Sequence, residues 1–187
     1  MKKAIIAVVI ILVCCVLLSC ALVALGIVSL PLAWSDDRSC VSNSSQVRLL
    51  KSYVPKETLD SVDPQFYTYF GFRDWWRYPL VYPYSIHAID SLDDGYLVDE
   101  SPITDYEADS INNATQLFDR IQAFTFDKNY LLAIRDNDFI LFEFETGTWS
   151  SFETKQELID EAKRLQFEGD FKFMTLQEYD ALFVCGQ

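Results

Sequence analysis

Side chains able to do chemistry are sparse in this chain, so their spacing is the first question. His87 is the only histidine, and it stands among Ser85, Ile86 and Ala88. A hydrolytic triad built on it needs Ser85 or a distant hydroxyl as nucleophile and a carboxylate to orient the ring. No Gly-x-Ser-x-Gly elbow accompanies it, so the expectation is a structural or surface histidine. No Cys or His pair has zinc-ligand spacing, and no metal is expected. Asp90-Ser91-Leu92-Asp93-Asp94-Gly95 begins like a calcium loop, but Leu92 stands third, where an oxygen ligand is required, and Ser101 twelfth, where a bidentate Glu is required. A tight acidic turn accounts for it better. Asp136 with Asp138, or Glu143 with Glu145, have the composition of glycosidase acids. On a strand Glu143 and Glu145 share one face and read as a solvated edge. Six glycines in the whole chain leave little room for a phosphate-cradling loop, so no cofactor is expected.

The densest feature is aromatic. Between Gln65 and Tyr84, ten of twenty residues are Phe, Tyr or Trp. Such density builds a core wall or a contact surface. Arg73, Asp74 and Arg77 interleave with Trp75, Trp76 and Tyr78, a mixture that permits guanidinium stacking and that dominates interface hot spots. The six residues from Arg73 to Tyr78 are therefore the candidate partner contact, with a core edge as the competing reading.

The elements that must carry these residues begin with a membrane signal. Ala4 to Ser35 holds no charge, and as a helix it would extend about 48 Å, more than the roughly 30 Å of a bilayer's hydrocarbon core. Lys2 and Lys3 precede it, which keeps the amino terminus cytoplasmic and the remainder outside. Within this run, Leu17-Leu18-Ser19-Cys20 resembles the lipobox of bacterial lipoproteins, where a small residue before the cysteine admits the signal peptidase. That resemblance implies lipidation at Cys20, which would become the first residue. The sequence departs from the family's pattern because Ala21 to Trp34 stay apolar where a lipoprotein turns polar. The uncleaved anchor is the favoured of the two readings, and both place the domain on the same side of a bacterial cell membrane.

Removing Lys2 and Lys3 from fifteen basic residues leaves thirteen against twenty-eight acidic ones, about fifteen net negative charges on the exposed part. Phosphate backbones would repel it, so no nucleic acid partner is expected, while a basic protein would be attracted. Residues 36–46 read as a polar linker and 47–187 as one extracytoplasmic domain. Cys40 and Cys185, near the two ends of that domain, form a candidate disulfide in an oxidising compartment.

Within the domain, Val47, Leu50 and Val54 predict a short helix. Tyr84 to Ile89 and Tyr96 to Val98 predict a hairpin, and Asp99 to Asn113 a surface loop. Arg120 to Phe126, Tyr130 to Arg135, Phe139 to Glu145 and Thr148 to Phe152, separated by Asp, Asn and Gly turns, predict an antiparallel meander. Thr154 with Glu157, and Thr175 with Glu178, are capping boxes that open two C-terminal helices, and Phe171 to Met174 between them reads as an edge strand. The expected fold class is α+β: a single N-terminal membrane helix, then a meander with the C-terminal helices packed on one face. The function expected is a membrane-anchored, extracytoplasmic binding module, not an enzyme. Its concrete form is an immunity or exclusion protein that neutralises a basic partner. A cell-envelope carbohydrate-active enzyme or lipoprotein is the alternative.

Overall fold

Runs of aromatic and β-branched residues broken by Asp, Asn and Gly turns form an antiparallel sheet, because each short run buries a face only against its neighbours. The computed structural model describes residues 41, 44–72, 74–103, 106, 113–136 and 138–183. These lie in one compact unit, Asp37–Gln187. Eight strands follow one another in sequence order: β1 Gly71–Phe72, β2 Trp75–Pro79, β3 Tyr84–Ile89, β4 Gly95–Asp99, β5 Thr115–Phe126, β6 Tyr130–Arg135, β7 Asp138–Glu143 and β8 Thr148–Phe152. A ninth, β9 Met174–Thr175, pairs antiparallel with β5. The helices are α1 Ser45–Tyr53, α2 Lys56–Leu59, α3 Gln65–Thr68, α4 Lys155–Arg164 and α5 Leu176–Asp180, the last followed by a 3-10 turn at Ala181–Phe183. The architecture is an antiparallel meander with a few helices.

Both capping boxes form. Thr154 Oγ1 accepts from Glu157 N at 3.2 Å and Thr175 Oγ1 from Glu178 N at 3.2 Å, and each glutamate returns a bond from the cap backbone. Helix α1 starts at Ser45, capped by Ser44, so it takes in two residues that read as linker. Strand β5 begins at Thr115, five residues before its expected start, and bends at Arg120, where φ is +61°. Its first half pairs with β4 and its second half with β6 and β9. The β5–β6 turn is tied by buried Asp127, whose carboxylate accepts from the backbone of Asn129 at 2.7 Å, Tyr130 at 2.8 Å and Glu168 at 2.6 Å.

One expectation is corrected. The two C-terminal helices do not share a face of the sheet. Leu158 and Ala162 of α4 pack with Leu132 of β6 and Leu141 of β7. Leu176 and Tyr179 of α5, with Phe183, pack instead with Leu131, Ala133, Ile140 and Phe142. Because side chains alternate along a strand, these sets lie on opposite faces. Every such fully buried Leu or Phe contributes about 1.5–3 kcal/mol of hydrophobic free energy. Among the described residues no helix is long and apolar enough to cross a membrane; the anchor segment, residues 1–35, lies outside them.

Candidate functional site

Strands β2 and β3 pair with Arg77 opposite His87 and Pro79 opposite Ser85, and β3 pairs with β4 so that His87 faces Tyr96 and Ser85 faces Val98. Alternation therefore puts Trp75, Arg77, Ser85, His87, Ile89, Tyr96, Val98 and Glu100 on one face. At its centre Glu100 is shut from solvent and carries a dense set of donors. Arg77 Nε donates to Oε1 at 2.7 Å and Nη2 to Oε2 at 2.5 Å. Ser85 Oγ donates to Oε1, His87 Nε2 shares the same oxygen at 2.8 Å, and Tyr106 Oη donates to Oε2 at 3.0 Å.

Arg77 is itself fully buried. Its Nη1 donates to the carbonyls of Phe66 and Tyr69, both at 2.8 Å, and its guanidinium stands 4.9 Å from the ring centroids of both Phe66 and Tyr106. Thus α3 and Tyr106 cover one end of the ionic cluster. Burial works against an ionised Glu100, but the Arg77 charge beside it and the hydrogen bonds from His87 and Arg77 overcome that, holding the carboxyl well below the usual range. His87 is shifted down from 6.5, burial being the largest cause and the hydrogen bond to Glu100 opposing it. An ionised carboxylate on Nε2 fixes the neutral ring with its proton there, and Nδ1 presents a lone pair.

The far end of the cluster is open. His87 lies in the floor of a depression of about 340 Å³ lined with Trp75, Ile89, Tyr96, Val98, Ala114 and Gln116. The rings of Trp75 and Tyr96 lie 4.9 and 5.5 Å from the imidazole. Among the described residues Nδ1 has no hydrogen-bond partner, and the one sealed, unpartnered side-chain polar atom is Tyr67 Oη. The arrangement can accept a hydrogen bond from a ligand or act as a base. Among the described residues the hydroxyl nearest His87 on this face, Ser85 Oγ, is spent on Glu100. Among the described residues no group of three or more His, Cys, Asp or Glu is placed to hold a metal ion.

A second concavity, of about 160 Å³, lies against the sheet's other end, lined by Tyr130, Leu141, Glu143, Thr148, Trp149, Ser150, Phe152, Glu161 and Leu165. Beside it runs β8, and among the described residues no strand pairs with the outer side of β8. Its sequence, Thr-Trp-Ser-Ser-Phe, is exposed over four of five positions, with Trp149 at 45%. It carries neither the charge nor the proline that commonly blunts an edge strand. Glu161 is gripped by Arg164 at 2.5 and 2.7 Å, which draws its carboxyl below the ordinary value.

The expected contact cluster is divided by the fold. Arg77 and Tyr78 are fully buried. Trp75 and Trp76 are half-buried, Trp75 at the depression and Trp76 against the main core. Asp74 is exposed, and Arg73 lies outside the described residues. So do Cys20, Cys40 and Cys185; the neighbours Val41 and Phe183 both belong to the main core cluster. Glu100 and Tyr106 fall in the stretch expected as a surface loop, yet both are buried. The available signal was register: continuing the β3–β4 hairpin puts Glu100 beside Pro83, to whose carbonyl its N–H donates at 3.0 Å, on the face of Ser85 and His87. Comparison of the chain with protein-family models, with curated proteins and with solved structures finds no match.

Proposed function

We propose that this chain is a membrane-tethered, extracytoplasmic binding module that engages a basic protein segment along the outer edge of β8. The observation that carries the reading is the unblunted β8 edge, exposed, uncharged and centred on Trp149, beside a concavity containing Glu143 and Glu161. An extended segment added to such an edge gains main-chain hydrogen bonds, and alternate side chains enter flanking pockets. A lysine or arginine of that segment meets the Glu143 carboxylate and the Tyr130 ring on one face of β8, while Trp149, on the opposite face with Phe118 and Arg135, packs against a neighbouring side chain of the segment. The net charge of −13 favours the same partner through faster encounter. Residues 1–35 supply the tether and confine the domain to the outer face of the membrane, where its effective concentration is high. The concrete form is an immunity or exclusion protein that neutralises a basic toxin or invading factor.

Catalysis by the Glu143–Glu161 pair fits less well, because a glycosidase acid needs a raised pKa and Arg164 lowers that of Glu161. The test is photo-crosslinking in cells from the anchored chain, with the crosslinker at Ser150 and, as control, at Gln122. A basic protein captured from Ser150 alone, and loss of protection in toxin challenge when Trp149→Ala and Ser150→Glu are combined, support the proposal. Identical capture from both sites, or unchanged protection, refutes it.

A further inference from the structure

A second site, at the opposite end of the sheet from β8, follows from what His87 does with its two nitrogens. One nitrogen is held by Glu100 at 2.8 Å, and the carboxylate is in turn held by Arg77, Ser85 and Tyr106. A ring tied this way cannot rotate or change tautomer without breaking a saturated buried network. Its second nitrogen has no hydrogen-bond partner among the described residues, and the residue lines a depression of about 340 Å³ whose other lining includes Gln116. A fixed acceptor that lacks a protein partner and borders a concavity is placed to meet a ligand.

The lining chooses the class of ligand. Among the described residues no charged side chain lines the depression, so none of them offers a counter-charge to a cation or an anion. The ionic cluster behind the floor is a neutralised Arg77–Glu100 pair. The described lining is aromatic and aliphatic surface from Trp75, Tyr96, Ile89 and Val98, with the indole N–H and phenol hydroxyl those two aromatics carry, one fixed acceptor at His87, and one amide able to donate and accept. Apolar ring faces beside a few hydrogen-bonding groups suit a molecule with C–H faces and a belt of hydroxyls. We propose that this depression binds a neutral saccharide ring, packed against Trp75 and Tyr96, with one ring hydroxyl donating to His87 Nδ1 and another meeting Gln116. Binding is non-covalent, and the sugar leaves unchanged.

Because His87 is the only histidine, labelling the full chain with 15N-histidine yields one imidazole, whose two nitrogens are read separately. The probes are glucose and N-acetylglucosamine, with glycerol as a hydroxylated control without a ring. The expected result is a saturable shift of the Nδ1 resonance by one of the sugars, at roughly millimolar Kd, with Nε2 nearly unmoved and glycerol without effect. Trp75→Ala and Gln116→Ala, both at positions outside the buried ionic cluster, weaken that binding by about tenfold or more, equivalent to about 1.4 kcal/mol. No saturable shift with either sugar, an equal shift with glycerol, or full affinity in both variants overturns the proposal. The β8 reading is untouched by any of these outcomes, since its crosslinks are made at another surface.

Discussion

Replacing Glu100 by Gln removes one charge from a site that holds two, both with side chains at 0% exposure. In the wild-type chain, desolvation of Arg77 and Glu100 is offset by their mutual attraction and by a full set of hydrogen bonds. In Glu100→Gln the guanidinium stays buried because Phe66 and Tyr69 still hold Nη1, but its counter-charge is gone. Gln also brings an NH2 group to a place where every neighbour donates, so at least one donor among Arg77, Ser85, His87 and Tyr106 loses its acceptor. Breaking one side of a buried pair costs about 3–5 kcal/mol, about a fifth or more of a typical domain's roughly 5–15 kcal/mol. At about 2–4 °C per kcal/mol for a domain of this size, Tm falls by roughly 6–20 °C. Urea and thermal unfolding of the purified full chain, followed by tryptophan fluorescence, measure it. Lys128→Ala is the control: its pair with Glu168 leaves the side chains 47% and 63% exposed, worth about 0–1 kcal/mol. Adding Arg77→Met to Glu100→Leu should recover part of the loss, though not all, because the Phe66 and Tyr69 carbonyls then lack their donor. A Glu100→Gln variant no less stable than Lys128→Ala would refute the account of the cluster as a tightly coupled ion pair.

Acid should destabilise the fold in two stages. The folded pKa of His87 is shifted down from 6.5, so the unfolded chain takes up the proton first; stability is level above about pH 6.5 and declines as pH falls below it. Glu100, also shifted down from its ordinary value, adds a further decline as pH falls below about 4.5, by the same sign. The urea midpoint from pH 7.5 to 5.5 isolates the first stage, and a midpoint that rises on acidification over that interval would reverse the assignment. Tyr67→Phe should stabilise the chain by about 1 kcal/mol, because it removes a buried hydroxyl without a partner. The same burial pushes that phenol up to about 12; a loss of stability in Tyr67→Phe would show the hydroxyl to be bonded.

The meander was legible because its turns are written in local chemistry: Asp127-Lys128-Asn129 and Thr146-Gly147 interrupt runs whose β-branched and aromatic residues have no better use than a sheet. Helices α4 and α5 were legible from their capping boxes for the same reason. Strand β2 was not. Arg77, Tyr78 and Pro79 are buried in succession, because α3 and Tyr106 cover one face and the main core the other, and a strand covered on both sides loses its alternation. The same loss in β6 and β7, where Leu131, Leu132 and Ala133 or Ile140, Leu141 and Phe142 are all buried, signalled that helices lie on both faces. Helix periodicity shows that a stripe must be buried, and it carries no information on which side of the sheet receives it. Glu100 was hidden by its company, an acid between Asp99 and Ser101, and only strand register brings it to His87 and Arg77.

Sheet order also dictates a sequence of assembly. From β1 to β8 each strand pairs with its successor in the chain, so every hairpin except β4–β5, whose connection takes in residues 100–114, closes over a short loop and can zip as it is synthesised. Residues 174–183 come after all of them. Yet Tyr179 Oη donates to the Pro79 carbonyl at 2.8 Å, and Leu176, Tyr179 and Phe183 fill the main core. A nascent chain therefore carries a finished ribbon with an unfilled apolar trough until α5 docks across about a hundred residues of sequence. That docking converts a string of local hairpins into one cooperative body, and it makes the interval before α5 is synthesised the period of greatest exposure to chaperones and proteases.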